Sequence, residues 1–276
     1  MSEYLSRIKQ IADLTPVKKV NPKKHLGQHF LTDETIAARI VDQLQLPRGV
    51  HQVLEIGPGM GVLTNYLVQR TAFTTTLIDI DRESIAYLKQ HYSELTVRII
   101  EADFLKINLE NLFTGVFSII GNFPYNISSQ IFFKVLENRQ RVVEVVCMLQ
   151  KEVAERIAAG PGSKVYGILS VLLQAFYTIK YQFTVGREVF DPPPQVLSGV
   201  ITLVRNEVVH LPCNEKKFFE VVKLSFGTRR KTLRNCLRPY NLPEVITGQP
   251  IFNKRAEQLA VADFVYLTQL VEANAS

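Results

Sequence analysis

Between residues 52 and 150 the chain alternates short, almost wholly apolar runs with amphipathic runs of helical period. The apolar runs are QVLEIG (52–57), TTTLIDID (74–81), VRIIEAD (97–103), FSIIGN (117–122) and EVVCMLQ (144–150). Between them lie GVLTNYLVQR, RESIAYLKQHY and ISSQIFFKVLEN, which read as helices. A strand apolar on both faces needs cover on both faces, and a helix between consecutive strands makes them parallel. The pattern predicts an α/β fold: a Rossmann-like, mostly parallel, doubly wound sheet. Two later runs, TIKYQFTV and SGVITLVR, have no helix between them and are expected to pair antiparallel at the sheet edge.

The flanks read differently. Residues 1–24 end in Lys18, Lys19, Lys23 and Lys24 with two prolines among them, a basic N-terminal arm. TDETIAARIVDQLQL, with Thr32 followed by acids, reads as a capped amphipathic helix. After Arg205 the segments 214–238 and 254–273 read as helices only. The expected organisation is an arm (1–24), an α/β catalytic domain (25–207) and a helical domain (208–276). The formal charge of +6 and pI near 9.2 fit an anionic partner such as nucleic acid, although ordinary enzymes share them. Three scattered cysteines without a CxxC pair give neither a disulfide framework nor a zinc site. No apolar run is long enough to span a bilayer, so a cytoplasmic protein without metal is expected, with monomer as the default state.

Chemistry collects at the strand ends. Glu55-Ile56-Gly57-Pro58-Gly59-Met60-Gly61 joins the first strand to its helix, where glycines let backbone approach a ligand and free N–H groups face it. Asp79 ends the next strand, 22 residues after Gly57, where an acid commonly accepts from ribose hydroxyls. Asp81 suits a helix cap better. Asp103 ends the third strand and is placed for an adenine amino group. Asn122 ends the fourth, within Gly121-Asn122-Phe123-Pro124-Tyr125. In a doubly wound sheet these ends share one crevice, which suits an adenosine-bearing cofactor. A nicotinamide cofactor fits less well, because the glycines run GxGxG rather than GxGxxG. Glu55 in turn suits an ammonium group better than a pyrophosphate.

The motifs HLGQHFLTD, LEIGPGMGVLT, EADFL, GNFPYNISS, MLQKEVAERIAA, FDPPPQVLS and FGTRRKTLRNCL follow in that order. Together they closely resemble the bacterial ribosomal RNA adenine dimethyltransferases that act on the small subunit, over nearly the whole chain from Lys23. The resemblance implies a class I methyltransferase fold, S-adenosylmethionine as methyl donor, and two adjacent adenosines near the 3′ end of 16S rRNA as acceptors. It puts His29 and Leu31 near the methionine end of the cofactor and Gly57 beneath it. Asp79 falls at the ribose, Asp103 at the adenine and Asn122 beside the methyl group. Two positions depart from the family: Asn is usual where this chain has His29, and Glu is commoner than Asp79.

That chemistry explains the Asn-Phe-Pro-Tyr shelf. The adenine amino group is a poor nucleophile because its lone pair is delocalised into the ring. The Asn122 side-chain oxygen and a nearby carbonyl, that of Phe123, are suited to accept its hydrogens and hold it in line for transfer. Tyr125, with Phe190 as candidate for the other face, is expected to stack on the flipped base. Between Lys216 and Arg238 there are eight basic residues against one acid. Arg229, Arg230, Lys231 and Arg234 are the expected phosphate contacts, set on neighbouring helical turns. The alternatives are a large-subunit resistance methylase, a non-catalytic RNA-binding assembly factor on this scaffold, and an NAD-dependent oxidoreductase, for which no hydride-transfer site is visible.

Overall fold

A computed structural model describes residues 20–47, 49–93, 98–228 and 230–274. Most of the basic arm, Lys18 and Lys19 included, and Arg229 therefore lie outside the described residues. The strands are β1 (Phe30–Leu31), β2 (Gln52–Ile56), β3 (Thr74–Asp79), β4 (Ile99–Glu101), β5 (Phe117–Asn122), β6 (Val142–Gln150), β7 (Tyr177–Val185), β8 (Phe190–Asp191) and β9 (Ser198–Arg205). Seven of them form one sheet in the order β4-β3-β2-β5-β6-β9-β7. The first five in that order run parallel, while β9 is antiparallel to both β6 and β7. The antiparallel edge is as expected, and β9 lies between β6 and β7.

Chain order runs outward in one direction from β2 through β3 to β4, and in the other from β5 to β6. The reversal therefore falls between the neighbours β2 and β5, and the crevice beyond their carboxyl ends is the natural ligand site. β6 is buried at every position except Gln150, which explains its unbroken apolar run. Its one charged residue, Glu144, is satisfied. It accepts from Ser118 Oγ (2.8 Å) and from the amides of Gln45 (2.7 Å) and Leu46 (3.2 Å), so burial leaves no unpaired oxygen.

The helices are α1 (Glu34–Val41), α2 (Thr64–Leu67), α3 (Arg82–His91), α4 (Ser128–Glu137), α5 (Lys151–Ala158), α6 (Ile168–Gln174), α7 (Glu215–Gly227), α8 (Leu233–Cys236), α9 (Glu244–Thr247) and α10 (Val261–Asn274). α1 is capped by Asp33, whose carboxylate accepts from the Ile36 amide (3.0 Å), and not by Thr32. Thr32 instead donates from both its amide and its hydroxyl to the Val189 carbonyl (2.8 and 2.9 Å). This tie accompanies a small second sheet in which β1 pairs antiparallel with β8, Phe30 opposite Asp191 and Leu31 opposite Phe190.

The helical region shares the catalytic core. Phe218, Val221 and Phe264 belong to the same buried cluster as Leu172 and Phe176, and the Phe226 ring meets both Tyr166 and Phe264. The long basic helix expected over 214–238 is broken: α7 stops at Gly227, and α8 starts at Leu233. Arg230 and Lys231 are thus in the connecting turn rather than on helical turns, and both are exposed. Among the described residues no helix is long and apolar enough to cross a membrane.

Candidate active site

The crevice holds a cavity of about 280 Å³, bordered by Gly57, Asp79, Asp103, Asn122, Phe123 and Tyr125 together with the segment His25–Phe30. Sequence reasoning placed the first six together, and the fold does so through the ends of four adjacent strands. The turn after β2 needs its glycines. Gly59 has φ +57, and a Cβ there would stand 2.8 Å from the Phe30 ring.

Asp79 is 7% exposed. One carboxylate oxygen accepts from the Asp81 amide (2.9 Å) and the other from the Gly59 amide (3.3 Å). Burial raises its pKa, against the pull of these amides. The acid therefore ties the glycine turn to the end of β3 while bordering the cavity. Asp81 is the cap of α3, as its position suggested, accepting from Glu83 N and Ser84 Oγ. Asp103 accepts from the Leu105 amide (2.9 Å), leaving its other oxygen beside Lys106 at 3.6 Å.

Asn122 is fixed by one contact. Its Nδ2 donates to the His29 carbonyl at 2.9 Å. One N–H of the amide is thereby committed to the protein, which fixes the side chain and leaves its oxygen as an acceptor in a residue that borders the cavity. Phe123 is buried, its amide donating to the Met148 carbonyl (2.9 Å) and its ring edge-on to Phe132. Tyr125 shares a 2.6 Å hydrogen bond with Ser198 Oγ and lies against the His29 ring, centroids 5.5 Å apart.

Three expected contacts are not presented to the cavity. Phe190 is 3% exposed and packs with Leu31, Phe183 and Val200, so neither ring face is open to a base. The reason is the β1–β8 pairing, which turns it inward opposite Leu31. Leu31, also buried, borders only a small side pocket of about 30 Å³. Glu55 likewise does not border the main cavity. Its carboxyl lies buried beneath the glycine turn and accepts from Thr64 Oγ1 (2.6 Å), with burial pushing its pKa up to about 8.

Several participants had weak sequence signals. Lys23 pairs with Asp81, and Gln28 Nε2 donates to the same carboxylate (3.1 Å), which lashes the segment 23–28 across the cavity's edge. Gly27, at φ +65, lets that segment pass Asn126, where a Cβ would stand 2.9 Å from Oδ1. Ile80 and Phe104 supply apolar walls on the side of β3 and β4. Of these, only the glycine and glutamine of HLGQHF and the phenylalanine of EADFL stood in a recognisable motif.

A doubly wound sheet with a glycine turn, strand-end acids and an Asn-Phe-Pro-Tyr shelf around one cavity defines a methyltransferase with an adenosine-bearing cofactor. The family described as "Ribosomal RNA adenine dimethylase" matches residues 19–271. The chain belongs to this family of SAM-dependent adenine dimethyltransferases. It is 57% identical to the ribosomal RNA small subunit methyltransferase A of Cytophaga hutchinsonii, over 92% of this chain and 99% of that one. It is 55% identical to the protein of the same name from Flavobacterium johnsoniae, over 94% and 98%. Among solved structures it resembles a dimethyladenosine transferase from Plasmodium falciparum, with TM-score 0.76 and 26% identity over 89% of this chain and 98% of that one. It also resembles the 23S rRNA methyltransferase ErmE, with TM-score 0.64 and 25% identity over 88% and 99%.

Proposed function

We propose that this chain transfers methyl groups from S-adenosylmethionine to the 6-amino groups of two adjacent adenosines near the 3′ end of 16S rRNA, yielding dimethyladenosines in the small subunit. The relatives at 57% and 55% identity, matched along almost their full length, support the small subunit over the large. The observation that carries the chemistry is the Asn122 amide, whose nitrogen is committed to His29 so that its oxygen is the group offered to an amine.

The residues fit the cofactor. The cavity is of nucleoside scale, Asp79 is buried enough to bind hydroxyls strongly, and Ile80 and Phe104 flank it with apolar surface. When bound, S-adenosylmethionine supplies an electrophilic methyl group on a sulfonium. Asp79 would hold the ribose, Asp103 the adenine and Gly57 the methionine end, while His29 borders the same cavity with its backbone carbonyl holding the Asn122 amide. Asn122 Oδ1 and the Phe123 carbonyl accept the hydrogens of the target amine and orient its lone pair, while Tyr125 supports the base. The gain is positioning plus stabilisation of the positive charge that develops on nitrogen, so no general base is needed before transfer. After transfer the surplus proton leaves to water. A monoalkylated amine has one N–H, so the second round uses one of the two acceptors. Arg230, Lys231 and Arg234, with Arg229 beyond the described residues, serve as phosphate contacts that position the subunit.

The test is transfer of labelled methyl to unmethylated small subunits, with large subunits as control, followed by nucleoside mass analysis. Dimethyladenosine at two neighbouring small-subunit positions is the expected product. Product confined to large-subunit RNA, or none from a chain that binds cofactor, overturns the reading.

A further inference from the structure

The side chain of His29 has partners of its own, distinct from those of its backbone. Its carbonyl receives the Asn122 amide. Its ring does two other things. Nδ1 stands 2.8 Å from the Pro192 carbonyl, and since a carbonyl only accepts, Nδ1 carries the proton and donates. The ring face lies on Tyr125 at 29° between planes. Tyr125 in turn is bonded through its hydroxyl to Ser198, at the start of β9. Three segments far apart in sequence (the strap at 29, the shelf at 122–125 and the stretch 192–198) therefore close into one ring of contacts, with His29 at its centre. Among the described residues, no hydrogen bond, ion pair or ring contact joins the imidazole to Gly57, Asp79 or Asp103, although all four border the cavity.

We propose that the His29 imidazole is a positioning residue for the target base. It braces the Tyr125 ring and the Pro192 carbonyl against each other, so that the aromatic platform is already oriented when the adenine arrives. This rests on the reading above, in which Tyr125 supports the base. It differs from a cofactor-contact role, because every side-chain partner belongs to the base side of the site. An asparagine at this position offers a donor for Pro192 but no ring for Tyr125, so the stacking half of the brace requires an aromatic ring such as this chain's histidine. A brace of this kind acts on turnover, since misplacing a base relative to the transferred group costs rate far more than it costs affinity.

The experiment compares His29→Leu, His29→Asn and His29→Phe, reading S-adenosylmethionine affinity by calorimetry and single-turnover methylation of small subunits. All three are expected to bind cofactor within about twofold of wild type, while His29→Leu slows transfer by about ten- to a hundredfold. His29→Asn, which keeps a donor, and His29→Phe, which keeps a ring, are each expected to recover part of that loss. In a Tyr125→Ala background the His29→Leu effect should shrink, because the group being braced is gone. Should His29→Leu not fold, His29→Asn decides alone: a slower transfer at unchanged cofactor affinity, coupled to Tyr125, supports the brace. Cofactor affinity falling in step with turnover, wild-type turnover in the variants, or strict additivity with Tyr125→Ala overturns it. Wild-type turnover by Tyr125→Ala alone overturns instead the stacking reading beneath it, so the two failures are distinguishable.

Discussion

Lys23 and Asp81 form an ion pair in which the aspartate side chain is fully buried and the lysine side chain is 28% exposed. The same Asp81 offers its backbone N–H to Asp79. The strap and Asp79 are thus fastened to one turn at the end of β3. Burial alone would raise the Asp81 carboxyl, but Lys23, Gln28 and the Glu83 amide hold it below its ordinary value.

Cutting this fastening should loosen the strap without removing a cofactor contact. Lys23→Ala is expected to raise the S-adenosylmethionine dissociation constant by about three- to tenfold, mostly through a faster off-rate. Stopped-flow binding at two salt concentrations checks this. An unchanged off-rate would mean the pair is only a cap for α3.

Asn122→Ala removes both the acceptor proposed for the target amine and the donor to the His29 carbonyl. Turnover should fall by about a hundredfold or more, with cofactor affinity within a few fold. Single-turnover kinetics alongside calorimetry separate the two. Loss of folding, or unchanged turnover, counts against the assigned role.

Glu55 gives a pH prediction. Burial, with the nearby Asp79 charge adding to it, lifts its folded pKa to about 8, while the Thr64 hydroxyl opposes the shift. An acid raised in the fold keeps a proton that the unfolded chain releases. Its contribution to stability is complete below the ordinary glutamate range and is lost progressively as pH rises towards about 8. Glu55→Gln should therefore flatten the fall in melting temperature between about pH 5 and pH 8 and be the more stable form at the upper end. Parallel pH–melting curves for the two proteins would refute the assignment.

Gly59→Ala drives a Cβ into the Phe30 ring at a left-handed backbone position. The expected cost is about 1–3 kcal/mol of stability together with loss of cofactor binding, seen in melting and calorimetry. Full retention of both would show that the turn relaxes without its glycine.

Arg230 and Lys231 lie exposed in the turn between α7 and α8. Replacing both with alanine should weaken subunit binding and reduce the slope of log affinity against log salt by about 0.7–0.9 for each lost phosphate contact. An unchanged salt slope would place the RNA footprint elsewhere.

The parallel sheet, the glycine turn and the strand-end acids were readable because each depends on local pattern: unbroken apolar runs, glycines at a turn, acids at strand termini. The orientation of Phe190 was not readable. The same residue serves as platform or as core depending on whether β8 pairs with β1, a contact between segments about 160 residues apart. The break after Gly227 was legible but overridden. GTRRKT does carry a local stop signal, since Gly227, Thr228 and Thr232 are poor helix formers and Thr232 sits at the N-cap of α8, but the basic residues between them read as one continuous helical face. Lys23 looked like one more surface charge, because nothing local reveals that its partner is a buried aspartate beyond the second strand of the sheet.

The β1–β8 ribbon and the His29–Pro192 bond have a consequence for synthesis. The wall of the cavity that carries residues 25–30 is secured by residues 189–192, which leave the ribosome after some 160 further residues have been made. Closing so long a loop is entropically costly and depends on the intervening sheet being in place. A nascent chain halted before residue 190 can hold the glycine turn and the acids of β3 and β4, yet it lacks the clasp that completes the site. The cavity therefore gains its last wall late in translation, as a property of the finished sheet rather than of the segment 52–103 that supplies the glycine turn and the strand-end acids.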